Sequence, residues 1–505
     1  MSAYPTPASP SAFESAVHAL QGLVIELQSD VHARAEHAEV ERLIDARGTE
    51  VLRLVFQGWL DLRVAAEPRR DVIGMDGVER THHRVVERSV ESVFGSVVVS
   101  RDRVSTRGAD ALVPADAALN LTDDRFTFGV RERVVAEAVR GSYDSAVESV
   151  AATTGASLAK RQAEGLVQSA AVDFEAFYEE AERRDAGAAA PADLLVVTAD
   201  GKGIVMRADA LRDATRRAAE KGRHKLATRL SKGEKRNRKR MATVAAVYDL
   251  SRAPRTPDDV VGELDRKVAT PPRPRARSKR VWASIEKSPR VVIREAFEEA
   301  QRRDPGHMRR WVALVDGNAT QIAEIRSASK AFGVLVTLVL DLIHVTEYLW
   351  NAAWNLFSEG DVAAEKWVRR YLRMVLEGRA STVAAAIRRS ATRRGLQERG
   401  NIDKAADYLL DHVDMLRYDE YLRDGLPIAT GVIEGACRHL VKDRMDITGA
   451  RWGLAGAEAI LRLRSLHASG DLPAYWAFHR TREFERNHAS HYDEAEDEWL
   501  FRRAA

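Results

Sequence analysis

The stretch that decides the fold is LLVVTADGKGIVMR, residues 194–207. Its apolar start predicts a buried strand, Asp-Gly-Lys-Gly predicts a tight turn, and the apolar end predicts a second strand. Asp200 would then lie at the carboxyl end of the first strand, at the edge of the sheet where α/β proteins usually bind ligands. Asp-Gly is also an ordinary turn pair, so this carboxylate alone does not decide between a structural and a functional role.

A second strand with the same ending follows later in the chain. RWVALVDG (310–317) is apolar up to Asp316 and its glycine. Around it, ATVAAVYDL (242–250) and VLVTLVLDLIHV (334–345) predict further strands, whereas residues 288–304 and 318–333 predict helices. Three strands in a row, followed by alternating helices and strands, predict a mixed sheet flanked by helices. The fold class is therefore multidomain α/β.

A third acid comes late in the chain, in PIATGVIEGACRHLVKDRM (427–445). This stretch predicts a helix with Thr430 as its N-cap and Glu434 in its first turn. Glu434 either interacts favourably with the positive end of the helix dipole or completes a three-carboxylate site with Asp200 and Asp316. Such a site suits two Mg²⁺ ions, with Mn²⁺ as a substitute, since hard cations prefer oxygen ligands. Two ions roughly 3.5–4 Å apart promote phosphodiester cleavage.

The rest of the chain divides into segments that differ in hydrophobic periodicity and predicted secondary structure. Residues 11–66 have apolar positions at helical spacing, and ESVFGSVVVSRDRVST (91–106) predicts a β-hairpin. Residues 143–168 predict a helix-turn-helix whose second helix is capped by Ser157, although a hairpin of helices formed only for packing gives the same pattern. The predicted segments are helical (1–66), small β-rich (67–122), helical with the helix-turn-helix (123–190), the sheet domain (191–345), an all-helical insertion (346–426), and the Glu434 helix with a C-terminal tail (427–505).

Basic residues are concentrated in the middle of the chain. Between positions 212 and 240 there are thirteen Lys or Arg residues and three acids. Such a run is often solvated surface, but between apolar segments it favours a loop that faces nucleic acid. The helix after Cys437 adds further cations, which either hold phosphates or suit a helix C-terminal half. The candidate DNA-binding residues are Lys160, Arg161, Gln162, Lys235, Arg236, Arg238, Lys239, Arg240, Arg438, Lys442 and Arg451.

Length and composition exclude several classes of protein. The chain has 505 residues, of which 45% are hydrophobic and 30% charged, which is typical of a soluble protein with several domains. A single cysteine, Cys437, excludes an internal disulfide and a cysteine-based zinc site. This thiol is expected to be an inert packing group. The longest apolar run is too short to span a bilayer and the start has no secretory pattern, so we expect no membrane partner and a cytoplasmic protein.

Five stretches together resemble one known family. They are VVTADGKGIVMR (196–207), LSKGEKRNRKRMATVAAVYD (230–249), WVALVDGNATQ (311–321), LIHVTEYLW (342–350) and LPIATGVIEGACRHLVKDRMDITGARWG (426–453). The sequence is similar to the ISKra-type transposases of bacterial insertion sequences, relatives of the Mutator-like group, over at least residues 194–470. The resemblance implies a ribonuclease H-like catalytic domain interrupted by a helical insertion. It also implies that Asp200, Asp316 and Glu434 form the catalytic DDE triad.

The resemblance adds one more candidate residue. The related superfamily has an acid or cysteine, two residues, then a histidine after its second Asp, and Asp341 with His344 matches that pattern. His344 would contact the scissile phosphate or order the metal ligands, although a histidine bonded to backbone at a strand end is an equal alternative. Family members often have cysteine pairs in the N-terminal β region. Residues 66–120 have none, which weakens the case for metal-supported DNA binding there.

The expected function is that of a bacterial DDE transposase. It would bind the terminal inverted repeats of its element in double-stranded DNA, cleave them with Mg²⁺ and join the freed 3′-hydroxyl to target DNA. Because two ends must meet, at least a homodimer is expected in the DNA complex, associated with the nucleoid. Two alternatives remain at this stage: a metal-dependent nuclease without joining activity, and a domesticated DNA-binding protein without catalysis.

Overall fold

The computed structural model describes residues 10–184, 193–221, 226, 231, 234, 236–262, 273–447 and 449–493. The chain is a mixed α/β protein that divides into two compact units. Unit 1 comprises Met1–Phe177 and Leu472–Ala505, and unit 2 comprises Tyr178–Asp471. Among the described residues, no helix is long and apolar enough to cross a membrane.

The strands lie in three sheets. They are β1 (Val72–Ile73), β2 (Glu79–Arg80), β3 (His82–Ser92), β4 (Gly95–Thr106), β5 (Ala109–Leu112), β6 (Leu194–Val205), β7 (Lys239–Leu250), β8 (Arg277–Ser284), β9 (Arg310–Val315) and β10 (Val336–Leu340).

The helices are more numerous and occur in both units. They are α1 (Glu14–Leu27), α2 (His37–Ala65), α3 (Pro114–Ala118), α4 (Phe128–Ala138), α5 (Tyr143–Thr153), α6 (Lys160–Ala170), α7 (Phe174–Arg184), α8 (Asp213–Lys221), α9 (Pro257–Gly262), α10 (Pro289–Arg303), α11 (Ala319–Ala331), α12 (Leu342–Ala353), α13 (Val362–Leu376), α14 (Ala380–Arg393), α15 (Gly400–Asp411), α16 (Tyr418–Arg423), α17 (Gly431–Ala436), α18 (Asp443–Met445), α19 (Leu454–Ser469) and α20 (Leu472–Asn487).

Unit 1 is built on the β3–β4 hairpin that the sequence predicts. The two strands pair antiparallel from His82 opposite Ser105 to Ser92 opposite Gly95. Alternate residues of β4 point inward, and Val97 and Val99 are buried, as period-two patterning requires. Gly95 closes the turn with a φ of 118°, which a residue with a Cβ rarely adopts. Helices α2 and α4 pack against this hairpin.

The predicted pair of helices is present in unit 1 as α5 and α6, but its cap differs from the prediction. Ser157 is exposed and lies before the second helix, which begins only at Lys160. Ala156 and Leu158 are buried, so this segment packs as an extended connection and the helix starts later. The Ala159 N–H is instead satisfied by the Gln162 side chain, whose Oε1 accepts it at 2.8 Å.

Unit 2 contains a five-stranded sheet in the order β10-β9-β6-β7-β8. Strands β10, β9 and β6 run parallel, whereas β7 is antiparallel to β6 and β8 is antiparallel to β7. Parallel β6 and β9 are covered on both faces, and their residues from 194 to 199 and from 311 to 315 are buried throughout, as expected for central strands.

The first strand of unit 2 corrects the prediction of strand, turn and strand over residues 194–207. β6 is continuous and pairs with β7 from Leu194 opposite Leu250 to Val205 opposite Lys239. Both glycines of the presumed turn therefore lie in extended backbone. A Cβ on Gly203 would meet Lys239 Cδ at 3.0 Å and Met241 Sδ at 3.3 Å, so the glycine allows β7 side chains to lie close to the strand.

Two further predictions in unit 2 require correction. β8 was missed because its first half is basic, and only Val281–Ser284 are buried. The strand predicted over 334–345 ends at Leu340, since Asp341 caps a new helix by accepting the Ile343 N–H at 3.2 Å. The fully described stretch from Asp341 to Thr430 then contains helices α12 to α16 and no strand, as the sequence predicts for most of it.

Candidate metal and nucleic-acid site

Two of the predicted acids lie on neighbouring parallel strands. Asp200 lies within β6, and Asp316 directly follows β9. β6 and β9 are paired up to Thr198 opposite Leu314, and Asp200 and Asp316 each lie two residues further along. Both acids are partly exposed, whereas the strand residues before them are buried. Because the strands are parallel, both acids lie just beyond their paired region, Asp316 after the end of β9 and Asp200 within β6.

The helix that bears the third acid contacts the first one directly. Cys437 is buried and its Sγ donates a hydrogen bond to Asp200 Oδ2 at 3.1 Å. Glu434 is exposed on α17, three residues before this cysteine, and residues three apart share a helix face. After Ala436 the helix continues as a π-helical segment over Cys437–Lys442. The contact brings the Glu434 helix to the strand that holds Asp200.

Cys437 is the neighbour of Asp200 that sequence reasoning missed. Burial raises the pKa of its thiol, and the Asp200 carboxylate raises it further, so the sulfur keeps its proton and acts as a donor. The expectation of an inert packing group overlooked this hydrogen bond. Its spacing of three residues from Glu434 predicts only that both side chains lie on one side of the helix, and no local signal predicts the contact with Asp200.

Asp341 and His344 form a second polar cluster next to Asp316. His344 Nδ1 lies 2.8 Å from Asp341 Oδ2. This hydrogen bond raises the pKa of His344 to about 9 against the opposing effect of burial, and Asp316 adds a smaller contribution. Imidazole in this position is a cation at neutral pH, which suits contact with a phosphate. Asp341 and His344, which the sequence pattern singled out, thus form a close pair in the fold.

The same aspartate also holds the start of the Glu434 helix. Asp341 is 1% exposed and accepts the Thr430 hydroxyl at 2.6 Å and the Thr430 N–H at 3.2 Å. Beside it, the Leu342 N–H donates to Ile428 O at 2.9 Å. Thr430 precedes α17, as predicted, but its side chain makes no cap bond to that helix and is bound to Asp341 instead. One buried acid therefore joins β10, α12 and α17.

The donor chemistry of these acids fits a hard divalent cation, but the ligands are not gathered. Among the described residues, no three His, Cys, Asp or Glu side chains lie close enough together to hold a metal ion. Asp200 accepts hydrogen bonds from Cys437 and from the Gly201 N–H, and Asp316 accepts one from the Asn318 N–H at 2.9 Å. Metal binding at Asp200, Asp316 and Glu434 stays a prediction, and it requires Asp200 to exchange the thiol for the ion.

A basic pocket of about 720 Å³ lies where β6 ends and β7 begins, and both Val205 and Lys239 line it. Its cationic lining residues are Arg236, Arg238, Lys239 and Arg451. The backbone N–H of Trp452 donates to Val205 O at 3.1 Å, and the backbone N–H of Met206 donates to Arg238 O at 2.9 Å. These bonds hold the segments of Arg238 and Arg451 on either side of the end of β6. The four cations make no ion pair with any residue that the structure describes, so the pocket is suited to an anion.

The remaining predicted cations of unit 2 are placed differently. Arg240 is used within the fold, where its Nε donates to Ile285 O at 2.9 Å. Burial lowers its pKa, with a smaller effect from Arg212. Arg438 and Lys442 are exposed, and Arg438 Nε lies 3.7 Å from Asp443. Lys235 lies outside the described residues.

The three candidate residues of unit 1 lie together at the start of α6. Lys160 Nζ is 2.7 Å from Asp144 on α5, and both side chains are exposed. Gln162 uses its side-chain oxygen to satisfy the Ala159 N–H. Arg161 is exposed. An exposed ion pair contributes little stability, so Lys160 can exchange its partner for a phosphate at small cost.

Comparison with known proteins gives little beyond this geometry. No protein-family model matches the chain, and no curated protein matches it. Four chains of solved structures match. One is the Drosophila P element transposase strand transfer complex, at 12% identity and a TM-score of 0.24, with 70% of this chain and 81% of that chain covered. A likeness this distant leaves the function to be argued from the residues of the site.

Proposed function

We propose that the protein is a DDE transposase of the ISKra type from a bacterial insertion sequence. The observation that carries the proposal is the hydrogen bond from Cys437 to Asp200. It brings the helix of Glu434 to the strand of Asp200, beside the strand that ends before Asp316. This contact supports the proposal, because a shared metal site needs acids from separate parts of the chain to come together.

The strand order supports a ribonuclease H-like assignment for unit 2. An antiparallel run of β6, β7 and β8 is followed by β9 and β10, which lie parallel to β6 on its other side. Helix α10 precedes β9, and α11 connects β9 to β10. The helices α12 to α16 separate these strands from Glu434, in the position of the helical insertion that the family resemblance implies.

Each candidate residue has a role in the proposed reaction. Asp200, Asp316 and Glu434 would hold two Mg²⁺ ions, or Mn²⁺ in their place. When bound, these ions activate the attacking oxygen and stabilise the leaving one. The cationic His344 would orient a phosphate beside Asp316, and Asp341 would hold the imidazole in place. Water is the nucleophile for cleavage and a DNA 3′-hydroxyl for joining, so no side chain has to form a covalent intermediate.

Double-stranded DNA is the proposed partner. The basic pocket and the exposed cations of the Glu434 helix would contact phosphates, which gives affinity without reading sequence. Helix α6 would enter the major groove and read the terminal repeats. Because two ends must be held together, we propose at least a homodimer in the DNA complex, acting on the bacterial nucleoid.

The proposal predicts metal-dependent strand transfer that needs all three acids. The full chain is incubated with Mg²⁺, linear DNA carrying both flanks of its coding region, and a supercoiled target plasmid. Asp200→Asn, Asp316→Asn and Glu434→Gln should each reduce joined product by at least about 100-fold, since loss of an outer-shell partner of a metal ligand alone costs about 10–100-fold. Binding to the same DNA should persist. The matched control is Glu359→Gln, which changes an exposed acid in a loop.

The outcomes separate the candidate functions. Joined product that depends on the three acids supports the transposase. Cleavage without joined product, lost in the same variants, would indicate a nuclease. DNA binding without cleavage would indicate a DNA-binding protein, and full activity in all three variants would rule out the triad.

A further inference from the structure

A second cavity in unit 2 has the opposite character to the basic pocket. It measures about 650 Å³ and lies between β7, α12, the 425–429 segment and the start of α17. Its walls are mainly apolar. They include Tyr248, Leu250, Ile343, Trp350, Leu426 and Ile428. The size and lining are typical of pockets that bind a small organic molecule.

One cation in this apolar wall has an unused donor. The Arg255 Nε is buried and has no hydrogen-bond partner among the described residues. Its backbone is fixed, because the Arg255 N–H donates to Leu422 O at 3.0 Å. Burial lowers the pKa of Arg255, and repulsion from Arg273 lowers it further. A buried donor without an acceptor is unfavourable, and Arg255 itself lines the cavity, so an anionic acceptor bound beside its guanidinium would gain a charge-assisted partner.

The charges around the cavity indicate the charge of its ligand. The described lining residues of the cavity include Arg255, Arg273 and the acid Glu347, and Asp259 acts on Arg255 from outside the lining. Glu347 is exposed on α12, whereas Arg255 is partly buried. Arg255 makes no ion pair with a residue that the structure describes, which favours a ligand with one negative group beside it. The rest of the ligand must be apolar to match the aromatic and aliphatic walls.

We propose that this cavity binds an amphipathic organic monoanion, with a carboxylate at Arg255 and an aliphatic or aromatic body along Tyr248 and Trp350. The inference goes beyond the proposed function, since it needs neither metal nor DNA. The ligand would contact α12, which bears His344, and the first residues of α17, which bears Glu434. Occupation of the cavity would thereby stabilise the spacing of these two helices.

Laurate is a suitable probe, and calorimetric titration of the full chain measures its binding. We expect one site per chain on the wild-type protein. Arg255→Met keeps the length of the side chain and removes its charge, and it should weaken laurate binding at least tenfold while leaving dodecanol binding unchanged. Thr346→Phe fills the cavity from α12 and should abolish binding of both. Arg252→Met, which removes an exposed arginine of the same loop that does not line the cavity, is the matched control.

Far-ultraviolet circular dichroism and melting temperature establish that each variant is folded. The proposal is overturned if wild-type protein binds no laurate, or if Arg255→Met and Thr346→Phe, both folded, bind it as the wild type does. Equal weakening by Arg252→Met would show a nonspecific charge effect and would also overturn it. Asp200→Asn should bind laurate normally, so failure here and failure of the transposase proposal are distinguishable.

Discussion

At the residue scale, Asp341 shows how one buried acid can organise a site without being a proposed ligand. Its two oxygens accept hydrogen bonds from Ile343, His344 and Thr430. Each oxygen of this side chain can accept more than one hydrogen bond, so a single acid connects all three residues. The position of Thr430 before α17, and hence of Glu434, depends on this residue.

The Asp341–His344 pair predicts a specific pH dependence of stability. Folding raises the pKa of His344 from 6.5 to about 9 through its hydrogen bond to Asp341. The hydrogen-bonded pair therefore makes its full contribution to the free energy of unfolding below pH 6.5, and this contribution is lost as the pH rises through about 9. We expect the difference in free energy of unfolding between wild type and His344→Gln to be constant below pH 6.5 and to shrink towards pH 9.

Denaturant unfolding at several pH values, with the same slope for both proteins, measures this difference. His467→Gln, on α19, serves as a control for a histidine outside the cluster. A difference that is flat from pH 6 to pH 9.5 would contradict the role of the pair.

At the scale of elements, the edge of the unit 2 sheet is covered by side chains of a helix. β8 is the last strand of its sheet, and its outward N–H groups need acceptors. Helix α19 supplies them. Ser469 accepts the Val281 N–H at 3.0 Å and Ser465 accepts the Ala283 N–H at 3.3 Å. Further along, Glu458 accepts the Ile285 N–H at 2.8 Å.

Glu458 is the strongest of these acceptors and gives a test of the arrangement. It is 4% exposed and also accepts the Ser284 hydroxyl at 2.8 Å. Glu458→Ala leaves buried donors of β8 unpaired, and we expect a loss of about 1–3 kcal/mol in the free energy of unfolding. Equilibrium denaturation measures it, with Glu359→Ala as an exposed control expected to change little. A loss of less than half a kilocalorie, on the order of surface substitutions, would contradict the role of Glu458.

The elements also show how far the sequence predicts this fold. Hydrophobic periodicity and apolar runs predicted β7, β9, α10, α11 and the β3–β4 hairpin, because each has a clear apolar pattern. These sequence patterns gave wrong predictions where pairing with a distant part of the chain outweighs the preference of the local sequence. Asp200-Gly201 looks like a turn, yet β7 pairs with it along the whole strand. β8 begins with basic residues, and only the contact with α19 explains why its end is buried.

The candidate site was predictable to a similar extent. The strand end before Asp316 and the helix of Glu434 follow from local patterns, whereas β6 continues past Asp200 to Val205. The hydrogen bonds from Cys437 to Asp200 and from Thr430 to Asp341 join residues 237 and 89 positions apart. Spacing within one helix cannot predict such contacts, since they depend on how the elements pack.

At the scale of the whole molecule, the two ends of the chain fold together in unit 1. Helix α20 completes it. Tyr475 donates its hydroxyl to Ala170 O at 2.7 Å, and His479 Nδ1 lies 2.6 Å from Asp173. Burial opposes ionisation of Asp173, but hydrogen bonds from His479 and Arg486 outweigh it and lower the pKa of this acid to about 2. The buried acid needs these C-terminal partners.

A chain that ends at Asp471 should therefore lose the structure of unit 1 and keep that of unit 2. Without α20, Asp173 is left without its hydrogen-bond partners His479 and Arg486, and we expect the apolar faces of α4 and α6 to be exposed. Hydrogen exchange with mass spectrometry should show lost protection in α4 and α6 and retained protection in β6, β7 and β9. Full protection in both sets of elements would contradict this role of the C-terminal helix.

The central claim is that Asp200, Asp316 and Glu434 share one metal site, and iron-directed cleavage of the polypeptide tests it most directly. Fe²⁺ bound in place of Mg²⁺ generates hydroxyl radicals with ascorbate and peroxide, and these cut the backbone next to the metal. The account predicts fragments cut near residues 200, 316 and 434 together, suppressed by excess Mg²⁺ and absent in Asp200→Asn but not in Glu359→Gln. Cuts at other positions, or cuts at these three that survive Asp200→Asn, would contradict it.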